Sequence, residues 1–364
     1  MGEKRKIMSK FFAKANMAGV FELCKPLIQN YIRTNLKKKV GSGKILELHE
    51  ELSFIFSAYP SAVGITGFDS PETIAQNITT ILEMIPKQIG NAFTLSRLLF
   101  GASKDKVDTI NMIIEMRKKL KALVLEKSAE MEASDEGPKS TDAFGHVIQA
   151  NEACQFEKYS TEEYVIDDIM TIYLVMDNMV KQISSLFIYL EEYPEIYKKM
   201  TAEIRDFELG GVGSLAKLKY TEKVLLESLR LTPALLRGTR LMKTQDGKPC
   251  KVGDLMLPSG TQIHYSQYLI HHNEEFWENA DKMDPERWSN GFNPEPFTYM
   301  PFLAGPRGCL GEHFAMMTMK LTLVAILQNF ELTPRLNPEK RPVFDQGMAL
   351  MKIKNKVDYE FVPV

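Results

Sequence analysis

A glycine-rich loop near the C-terminal end of the chain carries one cysteine and one arginine at a set spacing. The stretch Phe302–Gly311 reads FLAGPRGCLG, so Arg307 lies two residues before Cys309. A cysteine thiolate that ligates iron needs a bend in which backbone N–H groups can point at the sulfur. Glycines at Gly305 and Gly311 allow the backbone to approach a flat macrocycle closely, and Arg307 can pair with a carboxylate of the bound group. The pattern therefore predicts an iron–thiolate site at Cys309.

Two upstream motifs carry charged side chains at set spacings. Glu227 and Arg230 form an E-x-x-R pattern, and Asp284–Trp288 reads DPERW around Arg287. An i,i+3 ion pair on a helix contributes only ~0.2–0.5 kcal/mol, so the first pattern is weak when taken alone. The order of the three motifs along the chain is the stronger signal.

Helices are predicted to position most of these residues. Apolar residues recur at spacings of three and four in Val107–Leu123 and in Tyr164–Tyr189, which is typical of a helical period. The same spacing returns in Gly311–Gln328, directly after the cysteine loop. We therefore expect the positive N-terminal end of this last helix to face the anionic sulfur of Cys309.

After Pro233 the helical pattern ends, and short strands are predicted. Lys251–Tyr265 has short runs around the turn residues Pro258–Gly260, which favours a small hairpin. The tail Phe330–Val364 also has the pattern of short strands. The predicted fold class is mainly α with a small β region.

Composition limits the classes of function. The 364 residues carry a net charge of −2, which offers no basis for nucleic-acid binding. No apolar run has the length of a membrane span. The four cysteines, Cys24, Cys154, Cys250 and Cys309, are far apart and form no C-x-x-C pair. This spacing argues against a disulfide framework or a structural zinc site.

The motifs together resemble those of the cytochrome P-450 superfamily. The loop around Cys309 is similar to its haem-binding loop, and Glu227, Arg230 and Arg287 follow in that family's order. The resemblance covers essentially the whole chain and implies a single haem-thiolate domain over residues 1–364. Within the family, Pro296–Lys320 is similar to cholesterol 24-hydroxylases, which are microsomal enzymes that act on sterols.

The resemblance implies a haem b cofactor whose iron has Cys309 as its axial thiolate ligand. It implies that Glu227, Arg230 and Arg287 form a buried structural network beneath the haem. It further implies that Arg307, Arg240 and Arg5 contact the haem propionates, although the sequence leaves a solvated-surface position for Arg5 equally open. The predicted cofactor-binding residues are Arg307, Arg240, Arg5, Phe302, Gly305 and Gly311.

Two departures from the family pattern bear on activity. The family's first hundred or so residues, with their membrane anchor and first strands, have no counterpart, which implies a P-450 fold that lacks its N-terminal part. In the central helix, Val175 stands where the family has a glycine and Asn178 where it has a threonine, whereas the acid Asp177 is present. Asp177 and Asn178 are the predicted catalytic residues. Asp177 can also form an ordinary i,i+4 ion pair with Lys181.

The predicted function is hydroxylation of a lipophilic substrate, a sterol or fatty acid, with O2 and electrons from a separate NADPH-dependent reductase. Two alternatives stay open: an isomerase or dehydratase that acts on lipid peroxides, and a catalytically idle haem-binding remnant. By resemblance, the protein is expected at the cytosolic face of the endoplasmic reticulum membrane, with peripheral membrane contact. A cytoplasmic location is expected if the chain is truly this short.

Overall fold

The computed structural model describes residues 2–40, 45–65, 69–90, 104–134, 137–154, 161–244, 246–335, 343–345 and 352–364. Within these ranges the protein is mainly helical with small antiparallel sheets, as the sequence predicts. Part of the predicted C-terminal strand region, residues 336–342 and 346–351, lies outside the described residues. No helix in the described ranges has the length and apolar character needed to cross a membrane.

The helices are numbered in chain order and include the three helical stretches predicted from periodicity. Short 3-10 and π turns join several of them. The α-helices are α1 Gly2–Phe11, α2 Met17–Tyr31, α3 Lys37–Val40, α4 Leu48–Ala62, α5 Pro71–Gly90, α6 Lys104–Glu132, α7 Ala143–Glu152, α8 Thr161–Glu192, α9 Pro194–Arg205, α10 Lys219–Leu231, α11 Gln267–His271 and α12 Glu312–Leu327.

The strands form small sheets in the described part of the chain. The outer strands β1 and β6 flank β9 in one sheet, while β2–β5, β3–β4 and β7–β8 are antiparallel pairs. The strands are β1 Ile45–Glu47, β2 Gly238–Leu241, β3 Cys250–Val252, β4 Leu255–Leu257, β5 Gln262–Tyr265, β6 Phe330–Pro334, β7 Val343–Asp345, β8 Lys352–Lys354 and β9 Asp358–Pro363.

The predicted hairpin within Lys251–Tyr265 turns at a different place from the one expected. The chain reverses at Gly253, whose φ of +58° suits a glycine, and Val252 pairs with Leu255. The stretch Pro258–Gly260 instead connects two sheets, because β5 pairs with β2 rather than with β3. A local turn sequence predicts that the chain changes direction, but it does not predict with which strand the following strand pairs.

The core is built around α8, a helix of 32 residues. Apolar side chains cover more than one face of this helix, since α4, α6, α7 and α10 all pack against it. Helix α12 is also apolar on most of its surface, and its residues from Phe314 to Leu327, apart from the half-buried Met316, are buried. These two helices therefore provide a rigid frame on which the loop before α12 is carried.

Candidate functional site

A cavity of about 420 Å³ lies between α1, α8, α10 and the loop that contains Cys309. This volume is within the usual range of ligand sites in proteins, roughly 300–1,000 Å³. Most of its lining is apolar, and it includes Phe11, Phe12, Ile172, Val175, Leu235 and Phe314. The cavity brings Cys309 from the C-terminal part of the chain next to the central helix.

Backbone hydrogen bonds hold the cysteine loop in its bend. The Cys309 N–H donates to the Phe302 carbonyl at 2.7 Å, and the Gly308 N–H donates to the Gly305 carbonyl at 2.9 Å. Gly305 has a φ of +67°, does not line the cavity and has open space around the position of a Cβ. The left-handed backbone of the turn is sufficient to explain this glycine, and its predicted close approach to a macrocycle stays a prediction.

Gly311 lines the cavity and is the N-cap of α12. A Cβ added to Gly311 would lie 3.9 Å from the Cys309 sulfur and 3.8 Å from the ring of Phe12, so a larger side chain would fill the space beside the sulfur. The α12 helix begins at Glu312, as expected from periodicity to within one residue. The positive end of α12 thus adjoins the cysteine.

Opposing effects act on the Cys309 thiol. Burial raises its pKa, the Gly311 N–H that bonds to the sulfur lowers it, Glu312 raises it and the charge of Arg5 lowers it. The net direction is upward, so the thiol keeps its proton near neutral pH in the protein alone. A metal ion bound to the sulfur would displace that proton outright. Of these effects, the Gly311 hydrogen bond and the charge of Arg5 are the two that would favour a ligated thiolate.

The three arginines predicted to bind carboxylates have different surroundings. Arg5 and Arg307 both line the cavity, and the Arg5 guanidinium also donates to the Gly308 carbonyl. Arg240 does not line the cavity. Its guanidinium donates to the Thr239 carbonyl at 3.1 Å and lies 5.3 Å from the ring centre of Tyr265. The structure thus brings two of the three arginines to the cavity.

One face of α8 forms a wall of the cavity. Thr171, Val175, Asn178 and Gln182 recur at spacings of three and four and all line it. Val175 is 43% exposed toward this space. Asp177 lies on another face, is buried, and forms an ion pair with Lys181 at 2.5 Å. The two predicted catalytic residues therefore point to different sides of the same helix.

Glu227 and Arg230 meet on α10 with no exposed side-chain surface. Glu227 accepts hydrogen bonds from Arg230, from the Arg287 side chain at 3.0 Å and from the Trp288 indole at 2.9 Å. Arg230 also donates to three backbone carbonyls, including that of His271 at 2.7 Å. The three predicted network residues lie together, and the indole adds a donor that the motif does not predict.

His271 is a connection that the sequence did not reveal. It ends α11, is fully buried, and accepts from the Met300 N–H through Nε2 at 2.9 Å. Its Nδ1 lies 3.1 Å from the Arg230 carbonyl, which requires the proton on Nδ1. Burial lowers the pKa of His271 to about 3, so the ring is neutral. His271 thus joins α10 to the segment that leads into Phe302.

The residues at the cavity fit a haem group. Haem is a flat, largely apolar ring with an iron that binds thiolate and two carboxylates that pair with arginine. The cavity has apolar walls, the sulfur of Cys309 on its surface, and Arg5 and Arg307 in its lining. Cys309 would hold the iron, and the two arginines would hold the carboxylates. Within the described ranges, His, Cys, Asp and Glu side chains form no group of three or more that could hold a metal ion.

The chain is similar to known proteins over most of its length. Cytochrome P450 3A29 from Sus scrofa is 25% identical over 353 residues, which cover 91% of this chain and 67% of that protein. Cytochrome P450 3A18 from Rattus norvegicus is 27% identical over 385 residues, with 97% and 74% covered. Probable cytochrome P450 4p3 from Drosophila melanogaster is 34% identical over 185 residues, or 49% of this chain and 34% of that protein. The chain spans about two thirds of the length of the 3A relatives.

A solved structure, retinoic acid bound cyanobacterial CYP120A1, superposes on the whole chain and on 78% of its own with a TM-score of 0.75 at 19% identity. The relatives from Sus scrofa, Rattus norvegicus and Drosophila melanogaster have the group names 3A and 4, and these names do not confirm a similarity to cholesterol 24-hydroxylases. The similarity of Pro296–Lys320 to those enzymes therefore stays a prediction. The family model for Cytochrome P450 matches residues 3–361. With a matching fold, a cysteine loop at an apolar cavity and this family match over nearly its full length, the chain belongs to the cytochrome P450 family.

Proposed function

We propose that this protein hydroxylates a lipophilic substrate of the sterol or fatty-acid class, using O2 and electrons from a separate reductase. Cytochrome P450 enzymes are haem-thiolate mono-oxygenases, and the family implies haem here. The observation that carries the proposal is the apolar cavity that the Cys309 loop and α8 share. An apolar wall favours an apolar ligand because burial of its surface is worth about 25 cal/mol per Å².

The bound haem would supply oxygen activation, with the Cys309 thiolate raising the electron density at the iron. The protein's own residues would orient the haem group and the substrate and would exclude water from the cavity. The Gly311 N–H donates a hydrogen bond to the Cys309 sulfur. Arg5 and Arg307, which line the cavity, would neutralise the carboxylates of the bound group. Ile172, Val175 and Leu235 would hold the substrate by packing alone.

Residues of α8 would deliver protons to the cavity. The Asn178 amide lines the cavity and both donates and accepts hydrogen bonds, so it can hold a water there. An amide cannot pass a proton through itself as a hydroxyl can, and Val175 adds bulk one turn away. We therefore propose that oxygenation by this protein is slower, and less well coupled to electron supply, than it would be with glycine at position 175 and threonine at position 178.

The same two residues support a second candidate, an enzyme that rearranges lipid peroxides without O2 or a reductase. That reaction needs no external proton to split O2, so a helix face without a hydroxyl at Asn178 would not impair it.

We place the protein at the cytosolic face of the endoplasmic reticulum because the family has microsomal members, and this location is part of the proposal.

Two assays on the haem-loaded protein separate these functions. Reductase and NADPH with a sterol and fatty-acid panel should yield hydroxylated product together with a large excess of peroxide. A lipid hydroperoxide, added without reductase, should be consumed only if the second function is correct. If a protein with full haem content gives no product in either assay, both proposals are wrong and an idle haem-binding protein remains.

A further inference from the structure

An ion pair joins α6 to α8 near the face of α8 that lines the cavity. The Arg117 guanidinium of α6 donates to the Asp167 carboxylate of α8. Their side chains are 32% and 58% exposed, so solvent reaches both. Among the described residues, Asp167 supplies the acceptor that Arg117 contacts, whereas a guanidinium has five N–H donors. Arg117 can therefore bind a second acceptor.

The position of Asp167 on α8 connects this ion pair with the cavity. The cavity-lining residues of α8 recur at spacings of three and four, at Thr171, Val175, Asn178 and Gln182. Asp167 lies four residues before Thr171, so it continues the same face of the helix by one more turn. The Thr171 hydroxyl donates to the Asp167 carbonyl at 2.7 Å. The ion pair thus directly follows the cavity wall.

The stem of Arg117 is held in place by the core. Arg117 lies four residues after Ile113 and three before Leu120, on the side of α6 that packs inward. Leu120 is fully buried, whereas the neighbouring Lys118 and Lys119 are exposed. A side chain whose stem is already ordered loses less conformational entropy when it binds a ligand. Among these three cationic residues of α6, Arg117 is therefore the best prepared to bind an anion.

The Asp167 carboxylate is a partner that a ligand can replace. An exposed ion pair contributes little to stability because water solvates both charges well. A free Asp167 would stay hydrated after the pair opens. A ligand carboxylate can instead engage two N–H groups of Arg117 in parallel, which is the strongest geometry for this pair of groups. Exchange of one carboxylate for another therefore costs little and favours a bidentate ligand.

The distance along α8 limits the length of such a ligand. Asp167 and Asn178 are eleven residues apart in one helix, which is roughly 16 Å at 1.5 Å per residue. The cavity lining beside this helix is mostly apolar. An extended long-chain fatty acid spans this distance, whereas a short-chain acid does not. A sterol carries a neutral hydroxyl and gives Arg117 no anion to bind.

We propose that Arg117 binds the carboxylate of a long-chain fatty acid, whose chain lies along the apolar wall of the cavity. Asp167 competes with that carboxylate for the guanidinium and keeps Arg117 paired when no substrate is bound. Binding exchanges one ion pair for another, and no covalent bond changes. The inference rests on the proposed function, and within its substrate class it selects the fatty acid over the sterol.

Equilibrium binding of radiolabelled palmitate and hexadecanol to the ferric, haem-loaded protein, without reductase, tests this inference. The two ligands share a chain length and differ in charge. We expect Arg117→Gln to weaken palmitate binding at least tenfold and to leave hexadecanol within twofold of the parent. Asp167→Asn should act in the opposite direction and tighten palmitate binding several-fold, because the amide has nearly the same shape but no charge with which to compete.

Lys119→Gln is the matched control. It removes a neighbouring exposed cation that pairs with Asp69 at 2.8 Å, and it should leave both affinities unchanged. Arg117→Lys keeps the charge without the planar fork, so it should recover part of the palmitate affinity. Should Arg117→Gln not fold, Arg117→Lys and Asp167→Asn carry the test, since each is a conservative change at an exposed pair.

Two results would overturn the inference. If Arg117→Gln weakens palmitate and hexadecanol equally, the side chain acts by packing. If Asp167→Asn weakens palmitate binding, the pair serves to hold α6 against α8.

The inference and the proposed function fail separately. Palmitate that binds through Arg117 but is never oxidised would support the inference and refute the mono-oxygenase function. A hydroxylated sterol, together with a palmitate affinity that no variant changes, would leave the function standing and refute the role of Arg117.

Discussion

The Arg230 Nη2 lies 2.8 Å from the Glu227 Oε1, and neither side chain has exposed surface. Arg287 and the Trp288 indole share the same carboxylate. Through His271, Arg230 is also connected to the backbone of Met300, just before the cysteine loop. The charge pair is therefore part of the support for Cys309, although it lies outside the cavity.

Removal of one partner from this pair should unfold or strongly weaken the protein. In Arg230→Ala the Glu227 carboxylate loses two donors while it stays buried, which costs about 3–5 kcal/mol. We expect a large drop in the urea midpoint and loss of haem retention. The matched control is Lys199→Ala, which removes an exposed pair with Glu286 and should change stability by less than about 1 kcal/mol. Full haem content and unchanged stability in Arg230→Ala would contradict the proposed support.

Cys309→Ala should abolish the carbon monoxide difference spectrum that a thiolate-ligated haem shows. The physical reason is the loss of the anionic ligand, since no other cysteine lines the cavity. Cys250→Ala and Cys154→Ala serve as controls, because these side chains are exposed and half-buried, respectively, away from the loop. A retained thiolate spectrum in Cys309→Ala would exclude this residue as the ligand.

The arginines should differ in their effect on haem affinity. Arg5→Ala and Arg307→Ala each remove a cationic group from the cavity lining, and we expect haem to dissociate roughly tenfold more easily, which is about 1.4 kcal/mol. Arg240→Ala should stay within twofold of the parent, because this side chain contacts Thr239 and Tyr265 instead. Transfer of haem to apomyoglobin measures these rates. A large effect at Arg240 alone would show that its side chain turns toward the cofactor.

Coupling of electrons to product should improve in the double variant Val175→Gly and Asn178→Thr. The glycine removes bulk from the cavity wall, and the threonine supplies a hydroxyl that both donates and accepts a proton. Product per NADPH should rise several-fold and peroxide should fall. Ile172→Val, which alters the same wall without changing polarity, is the control. No gain in the double variant, in a protein that does hydroxylate, would mean that these positions do not limit proton supply.

His271 should make stability depend on pH below neutrality. Its pKa is about 3 in the folded protein and 6.5 when unperturbed, so the unfolded chain binds the proton more readily. Stability from this group is therefore complete above pH 6.5 and is lost as the pH falls toward 3. The loss approaches about 4–5 kcal/mol, since each pKa unit corresponds to about 1.4 kcal/mol.

Urea unfolding between pH 7 and 4 measures this dependence on His271. His271→Gln keeps a hydrogen-bonding side chain without a titrating ring, so its unfolding free energy should fall less steeply. His264→Gln, at an exposed position on β5, is the control and should keep the slope of the parent. An unchanged slope in His271→Gln would show that the ring is not held neutral.

The chemistry of the cysteine loop could be predicted from sequence because the loop is local. Cys309, Phe302 and Gly311 lie within ten residues of one another, and backbone hydrogen bonds inside the loop set its shape. The helical stretches were equally predictable, since the spacing of apolar residues determines which face of a helix is buried. The turn at Gly253 was misplaced because strand pairing is decided by the rest of the sheet.

Only the tertiary structure decided which side chains meet across the chain. It placed Asn178 in the cavity wall and turned Asp177 toward α4, although the two are neighbours in sequence, because successive residues on a helix point about 100° apart. It also placed Arg240 outside the cavity lining and gave His271 a buried bridging position that no spacing predicts.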